Sequence, residues 1–343
     1  LIYFNCKYKT NENSTGVDNV AKAYNDFLQR FYEVREFNYS YSSTIKKNME
    51  EQLFFPKKTF AKNDIVIHPT NTAPLRKLNA IEILVLHDLA YVDYPEGFSR
   101  AFRMWYKFMV PKLLKSKNHI VTVSKFSKQR IIKYYGVNPK KISIVCNGIN
   151  ELKLNFNFEK NEPEHFLAVG SLTRRKNHKC VVRAHKKLPT ELRKKFPLKI
   201  AGGKSSYFNN SGIDDEVDQY IDILGYVNSS KLKSLYERSL AYISASKYEG
   251  FGLPILEALS YGKHIICSDI PPYKEIVGES YKHLFPDGKE GELAKLMEQV
   301  ASNADHYFAD DNLVKKRFDL AGKYLWSNTL IDLKNIIEKV GRN

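Results

Sequence analysis

The 343-residue sequence holds only four cysteines, and no two of them form a CxxC pair. Cys6, Cys146, Cys180 and Cys267 stand singly among apolar neighbours, which argues against a disulfide framework or a zinc ribbon and predicts buried thiols in a reducing compartment. No apolar run approaches the roughly 20 residues that a membrane-spanning helix needs. No secretory-leader pattern opens the chain, although Leu1 is not an initiator residue. Neither a G-x-G-x-x-G fingerprint nor a Walker sequence occurs, so the commonest nucleotide signatures are missing. Internal repeats and low-complexity tracts are missing too.

Acidic residues are absent from one long stretch. Between Gly97 and Asn150 there is no Asp or Glu, while Arg100, Arg103, Lys107, Lys112, Lys115, Lys117, Lys125, Lys128, Arg130, Lys133, Lys140 and Lys141 accumulate. The chain as a whole carries a formal charge of +16. That surplus favours anionic partners: phosphorylated substrates, an acidic membrane surface or nucleic acid. In "FRMWYKFMVPKLLKSK" the charges interleave with Trp, Tyr, Phe, Met and Leu. Such a composition suits an interfacial helix, and equally a buried aromatic face with lysine stems laid over it. The basic aromatic segment 100–141 is therefore a candidate contact with an anionic membrane surface.

What is present in quantity is short, apolar, β-branched runs. "LIYFNC", "DIVIH", "IEILVLHD", "HIVTVS" and "KISIVCNG" read as strands of a first half, and "HFLAVGS", "LKIAGG", "IDILGYV", "LAYISAS" and "HIICSD" as strands of a second. They lack polar alternation, as strands covered on both faces do. Amphipathic helical stretches separate them, for instance "VDNVAKAYNDFLQRFY", where Val17, Val20, Ala21, Tyr24, Phe27, Leu28 and Phe31 trace one face. Repeated β-α-β order predicts an α/β protein of two Rossmann-like, doubly wound parallel-sheet domains facing each other across a cleft. The polar stretch 150–165 marks the break, giving an N-terminal domain over 1–152, a C-terminal domain over 153–325, and a last helix within 326–343 expected to return toward the first domain.

In such sheets ligands sit at the carboxyl ends of the strands, so chemistry belongs in the loops there. One loop, "KYEGFGLPILE", follows the run "LAYISAS". Gly250 and Gly252 permit close backbone approach, Pro254 suits a first helical position, and Gly262 suits a helix end. A helix amino terminus there favours an anion, which predicts a phosphate cradle. Glu249 and Glu257 would repel phosphate, but a carboxylate accepts paired hydrogen bonds from a vicinal diol. Either glutamate alone fits a solvated loop or a complemented helix dipole. Together with the glycines they suit a ligand carrying both diphosphate and diols, a nucleotide sugar. A second loop, "VGSLTRRKNHKC", sets Arg174, Arg175 and Lys176 after a strand, where they could neutralise a diphosphate.

The stretch "EGFGLPILEA", with its two glutamates eight residues apart, resembles the E-x7-E signature of retaining GT-B glycosyltransferases of family 4. The resemblance runs along nearly the whole chain through "NSTGVDNVAKAY", "VLHDLAYVDYPEGFS", "VTVSKFSKQRI", "CNGIN", "VGSLTRRKN", "LGYVNSSKLKSLY" and "SDIPPYKEIVG", in order. It implies that Glu257 holds the ribose, Glu249 the donor sugar, and Arg175 and Lys176 the diphosphate, with Arg174 beside them. The backbone of Gly250, Phe251, Gly252 and Leu253 would contact sugar and phosphates, and Gly16 would let its loop approach the donor or acceptor. His87 would face the transferred sugar, and Tyr226 and Val227 would lie near the base. Asn19 and Ser171 stand where close members of this family often carry arginine, which throws the phosphate clamp onto Arg174, Arg175 and Lys176.

The implied activity is a retaining hexosyl transfer that needs no metal and no cofactor, its only small-molecule partner being the donor. The acceptor would be a glycan or a lipid-linked oligosaccharide of bacterial surface polysaccharide (lipopolysaccharide or capsule) biosynthesis. Resemblance of "HPTNTAPL" and "HDLAYVDYPEGFS" to mannosyl- and rhamnosyltransferases favours GDP-mannose, with UDP- and dTDP-hexoses as alternatives. The expected location is cytoplasmic, peripheral on the inner face of the membrane, with no nucleic acid partner. An epimerase or a phosphorylase on the same fold competes with this reading, as does a non-enzymatic basic surface binder.

Overall fold

A computed structural model describes residues 1–10, 15–41, 43–150, 162–203, 213 and 216–342. Two compact units emerge: Leu1–Leu89 with Ala101–Gly148 and Trp326–Asn343, and Ala90–Arg100 with Ile149–Leu325. Of the polar stretch read as the break, residues 151–161 lie outside the described residues, as do residues 11–14 of the segment before Gly16.

The first unit is built on β1 (Ile2–Asn5), β2 (Val34–Phe37), β3 (Ile65–His68), β4 (Ile81–Val85), β5 (His119–Thr122) and β6 (Ile142–Ile144). These pair in the order β2-β1-β3-β4-β5-β6, every pair parallel. Val66, Ile67, Ile83, Leu84, Val85, Ile120 and Val121 have almost no exposed surface, so the strands are covered on both faces as their unbroken apolar runs require. The helix Gly16–Leu28 opens with a capping box between Thr15 and Asp18 and buries Val20, Ala21, Tyr24 and Leu28. Phe31 falls beyond its end and is exposed, unlike the expectation that it shares the buried face. The terminal helix Trp326–Gly341 packs on Gly16–Leu28, with Trp326 edge-on to Tyr24 and Lys334 over the Phe31 ring.

The second unit holds β7 (His165–Val169), β8 (Leu198–Ala201), β9 (Ile221–Gly225), β10 (Ser239–Ser244), β11 (His264–Ser268) and β12 (Leu284–Phe285). Their order is β12-β11-β10-β7-β8-β9, again all parallel. Both sheets are thus doubly wound, as expected. In the second, strand order reverses between β7 and β10, which creates the topological switch point where loops from adjacent strands diverge. Three of the four cysteines are buried, and burial pushes the thiols of Cys6 and Cys180 up to about 12. Cys146 is the exception, being half-buried.

Two strands escaped the sequence reading. In β2, Arg35 and Glu36 interrupt the apolar pattern on a half-covered edge, and β12 is two residues long. Among the described residues, no helix is long and apolar enough to cross a membrane.

Candidate functional site

The switch point of the second unit brings together the two loops singled out in the sequence. The loop after β7 carries Arg174, Arg175 and Lys176, and the loop after β10 carries Glu249 and the glycines. The Lys247 amide donates to the Arg175 carbonyl at 2.9 Å, stitching the loops backbone to backbone. Side chains complete the junction. Arg175 Nη1 donates to the Tyr248 carbonyl at 2.8 Å and to Glu249 Oε2 at 3.0 Å, and Lys176 Nζ lies 2.7 Å from Glu249 Oε1.

Glu249 is buried, and burial pushes its acidity down, but Lys176 and Arg175 outweigh that and hold the carboxyl at about 2. Burial also lowers the Lys176 pKa, opposed chiefly by the Glu249 charge. Each charge is thus held by the other, so removing one leaves its partner desolvated and unpaired. Arg174 stays exposed. Arg174, Arg175 and Lys176 outnumber Glu249, which leaves a surplus of positive charge at the carboxyl ends of β7 and β10.

Backbone geometry permits this crowding. Gly170 has φ 145°, and a Cβ there would meet Lys176 Cε at 3.1 Å. Beyond Gly252, at φ 125°, the helix Leu253–Ser260 begins with no side chain capping it, so its amino end is open to an anion. Its far end closes with Gly262 at φ 65°, whose amide donates to Leu259 while the Lys263 amide donates to Ala258. Pro254 occupies the second helical position rather than the first, because Leu253 already has helical geometry. For the same reason Glu257 lies in the second helical turn, not the first. Its Oε2 accepts from Tyr236 Oη at 3.0 Å, and its charge reaches Lys176.

Phe251 is buried edge-on to Tyr324. Tyr226 and Val227 follow β9, two strands from β7, with Tyr226 68 % exposed and its Cβ beside Gly203. Gly16 and His87 belong to the first unit. Gly16 is the first residue of its helix, and His87 follows β4, buried, with Nε2 2.8 Å from the Pro69 carbonyl and its amide donating to Asn71 Oδ1. Burial lowers the His87 pKa, so its imidazole is neutral.

Three residues of the second unit join this constellation unannounced. Tyr236 holds Glu257, and Ser246 lies close enough to the Glu249 carboxylate to favour its charged form. Tyr94, from the segment Ala90–Arg100, lies within reach of the charges of Arg174 and Arg175. No spacing links these residues to either loop. A buried tyrosine needing a partner for its hydroxyl is the one signal that pointed to Tyr236.

Comparison with known proteins adds relatives to this geometry. Residues 150–312 match the family described as "Glycosyl transferases group 1", and residues 26–151 match "Glycosyltransferase Family 4". The O-antigen chain mannosyltransferase RfbU of Salmonella typhimurium is 29 % identical over 234 residues, 67 % of this chain and 63 % of that protein. O-antigen chain mannosyltransferase B of Escherichia coli is 26 % identical over 242 residues, 65 % of this chain and 62 % of that protein. The matched stretch thus spans less than two thirds of the length of these relatives. Among solved structures, sucrose-phosphate synthase from Thermosynechococcus elongatus superposes with a TM-score of 0.73 at 14 % identity, covering 99 % of this chain and 98 % of that one. Anabaena HepE in complex with UDP and glucose gives 0.70 at 15 % identity, covering 100 % and 99 %. The chain has the GT-B fold and is related to bacterial sugar transferases.

Proposed function

We propose that this GT-B-fold relative of bacterial sugar transferases moves a hexose from a nucleotide sugar to a glycan or lipid-linked oligosaccharide acceptor. The observation that carries the reading is the junction of Arg175, Lys176 and Glu249 beside the uncapped helix Leu253–Ser260. It combines a surplus of positive charge and the helix's leading amide with an ionised carboxylate, the two chemistries that a diphosphate and a sugar diol require.

In transfer, the bond from the anomeric carbon to the diphosphate oxygen breaks through an oxocarbenium-like state, and negative charge grows on the leaving group. Arg175, Lys176 and the helix amino end are already arranged to receive that charge, with little reorganisation at the moment of reaction. Glu249, acceptor-only while ionised, orients the sugar through its hydroxyls. Glu257 does the same for the ribose, and Tyr226 and Val227 flank the base. The acceptor oxygen enters on the face the diphosphate leaves, its proton passing to a leaving phosphate oxygen, so configuration is retained and no metal takes part.

The names of the two O-antigen relatives favour mannose, carried by GDP. Lys176→Ala and Glu249→Gln should each lower transfer about 10²- to 10³-fold with the circular dichroism spectrum unchanged. Full activity in either variant overturns the assignment of these residues. Calorimetry with GDP, UDP and dTDP, followed by hydrolysis assays on the matching sugars, tests the donor, with GDP expected to bind tightest. Absence of binding and turnover across the whole panel leaves a basic surface binder as the better reading.

The helix Arg100–Ser116 supports an acceptor held at a membrane surface. Met104 is 72 % and Phe108 50 % exposed, one turn apart, with the Lys112 ammonium 3.6 Å from the Phe108 ring centre. Replacing both apolar residues by serine should weaken retention on acidic vesicles and leave nucleotide binding intact.

A further inference from the structure

The opposite edge of the first sheet holds a cavity that the donor reading does not use. It has a volume of about 640 Å³ and lies at the amino ends of β3, β4, β5 and β6, against the terminal helix. Its rim carries Lys62, Lys77, Lys140, Lys141 and Lys339, and no Asp or Glu is among the residues that line it. Leu78, Ala80, Ile81, Ile336 and Val340 supply an apolar floor. Ile81 starts β4 and His87 follows that strand's other end, six residues on and about 20 Å of extended chain from the cavity.

We propose that this cavity binds a phosphate-bearing anion with an apolar body, independently of any sugar transfer. The ammonium groups of Lys62, Lys77, Lys140 and Lys141 line one concavity whose lining holds no carboxylate, an arrangement that an entering anion relieves. Among the described residues, Lys62, Lys77, Lys140 and Lys141 make no ion pair with an acidic side chain, so their charge is available. Lys141 Nζ is held in place by the Leu114 carbonyl at 2.7 Å, which aims the group without cancelling its charge. The repulsion shows in the titration of the neighbours. Burial and then the Lys77 charge lower the Lys141 pKa, and His119 is lowered to about 4 by burial, then by Lys339, Lys128 and Lys141. The neutral His119 ring engages Ser143 Oγ at 2.9 Å, and Asn63, Asn79, Asn118 and Asn138 add uncharged donors around the mouth. The apolar floor is what distinguishes the site from a solvated lysine patch: it gives a lipid tail or a carrier's hydrocarbon a surface to lie on.

The ligand has two candidate sources, a phospholipid or lipid-carrier headgroup and a free diphosphate. Inorganic pyrophosphate, titrated by calorimetry, is the probe for both. The Lys176→Ala protein serves as reference, because the donor residues also attract pyrophosphate. Saturable binding there, weakened about a hundredfold by Lys77→Ala with Lys140→Ala, supports the site; that factor corresponds to two lost hydrogen bonds to a charged group. In a second arm the wild-type chain is floated with phosphatidylglycerol vesicles. Displacement by pyrophosphate, lost in the Lys77→Ala/Lys140→Ala protein, assigns the site to a lipid headgroup. Pyrophosphate binding without such displacement assigns it to a free phosphate. No saturable binding in the Lys176→Ala reference, or binding equal with and without the two rim lysines, overturns the proposal. Because no arm measures turnover, failure here leaves the transferase reading standing, and the reverse holds too.

Discussion

Glu249 keeps its charge in a buried place because two cations stand over it. Desolvation alone would drive the carboxyl neutral, and a neutral carboxyl presents a proton where a sugar hydroxyl needs an acceptor. Arg175 and Lys176 keep the group ionised at any working pH, with its pKa near 2. Glu257 is held differently, by the Tyr236 hydroxyl, whose ring stacks on Tyr261 at 5.2 Å and is thereby fixed without the hydroxyl. Tyr236→Phe should therefore leave the fold intact and weaken nucleoside-diphosphate binding by about 1 kcal/mol, the net worth of one hydrogen bond. Unchanged affinity in calorimetry would separate Glu257 from the nucleotide. Two neighbouring glycines make a sharper pair. A Cβ at Gly202 would fall 1.8 Å from the Gly170 carbonyl, whereas one at Gly203 would find Tyr226 Cβ at an ordinary 3.7 Å. Gly202→Ala should destabilise by about 1 to 3 kcal/mol and lower nucleotide affinity with it, because the β7 loop must shift. Gly203→Ala should do neither, and thermal melts of the two proteins check the contrast.

At the level of elements, the site exists because β10 pairs with β7. Ten strands were legible because each is a short apolar run covered on both faces, and the loops at their carboxyl ends could be located from that alone. The pairing was not legible. Ser239 to Tyr242 meets His165 to Leu167 across more than 70 positions of chain, and local composition carries no record of such a partner. Hence the Arg-Lys loop and the Glu249 loop were readable as two anion-friendly turns, while their junction, and the arrival of Tyr236 and Tyr94, needed the fold. The first unit hides a comparable long-range element. Lys117 is buried with its ammonium donating to the Glu82 carboxylate and the Pro74 carbonyl, and Glu82 also faces His68. In sequence Lys117 is one more member of the basic run. Lys117→Ala should cost about 3 to 5 kcal/mol, since it strands the buried Glu82 charge on β4. Lys117→Met with Glu82→Gln, which removes both charges, should recover much of the loss, and urea titrations of the two proteins decide it.

At the scale of the whole molecule, buried histidines govern the response to acid. His119, His178 and His185 are lowered to about 4 and His165 to about 3, in each case by burial first. The rings of His165, His178 and His185 each engage a backbone carbonyl, that of Leu235, Gly170 and Phe196. Cations nearby, Lys199, Lys176 and Arg193, further oppose protonation. In the unfolded chain the same rings titrate near 6.5. The native state therefore refuses protons that the unfolded state accepts. Stability is fully present above about pH 6.5 and is lost as pH falls from there toward the folded values near 4. The depressed carboxylates Glu249, Glu82 and Glu36 act with the same sign but only below about pH 4.5, so the histidines act first. At pH 5 each buried ring accounts for about 1 to 2 kcal/mol, and four of them approach the total stability of an ordinary domain. The melting temperature should fall steadily between pH 7 and pH 5. Substituting His185→Gln should reduce the proton uptake on unfolding by about one at pH 5 and by much less at pH 7. A melting temperature that stays flat from pH 7 to pH 5 would mean that these rings accept protons in place, and that the carbonyls and cations around them do not exclude the charged form.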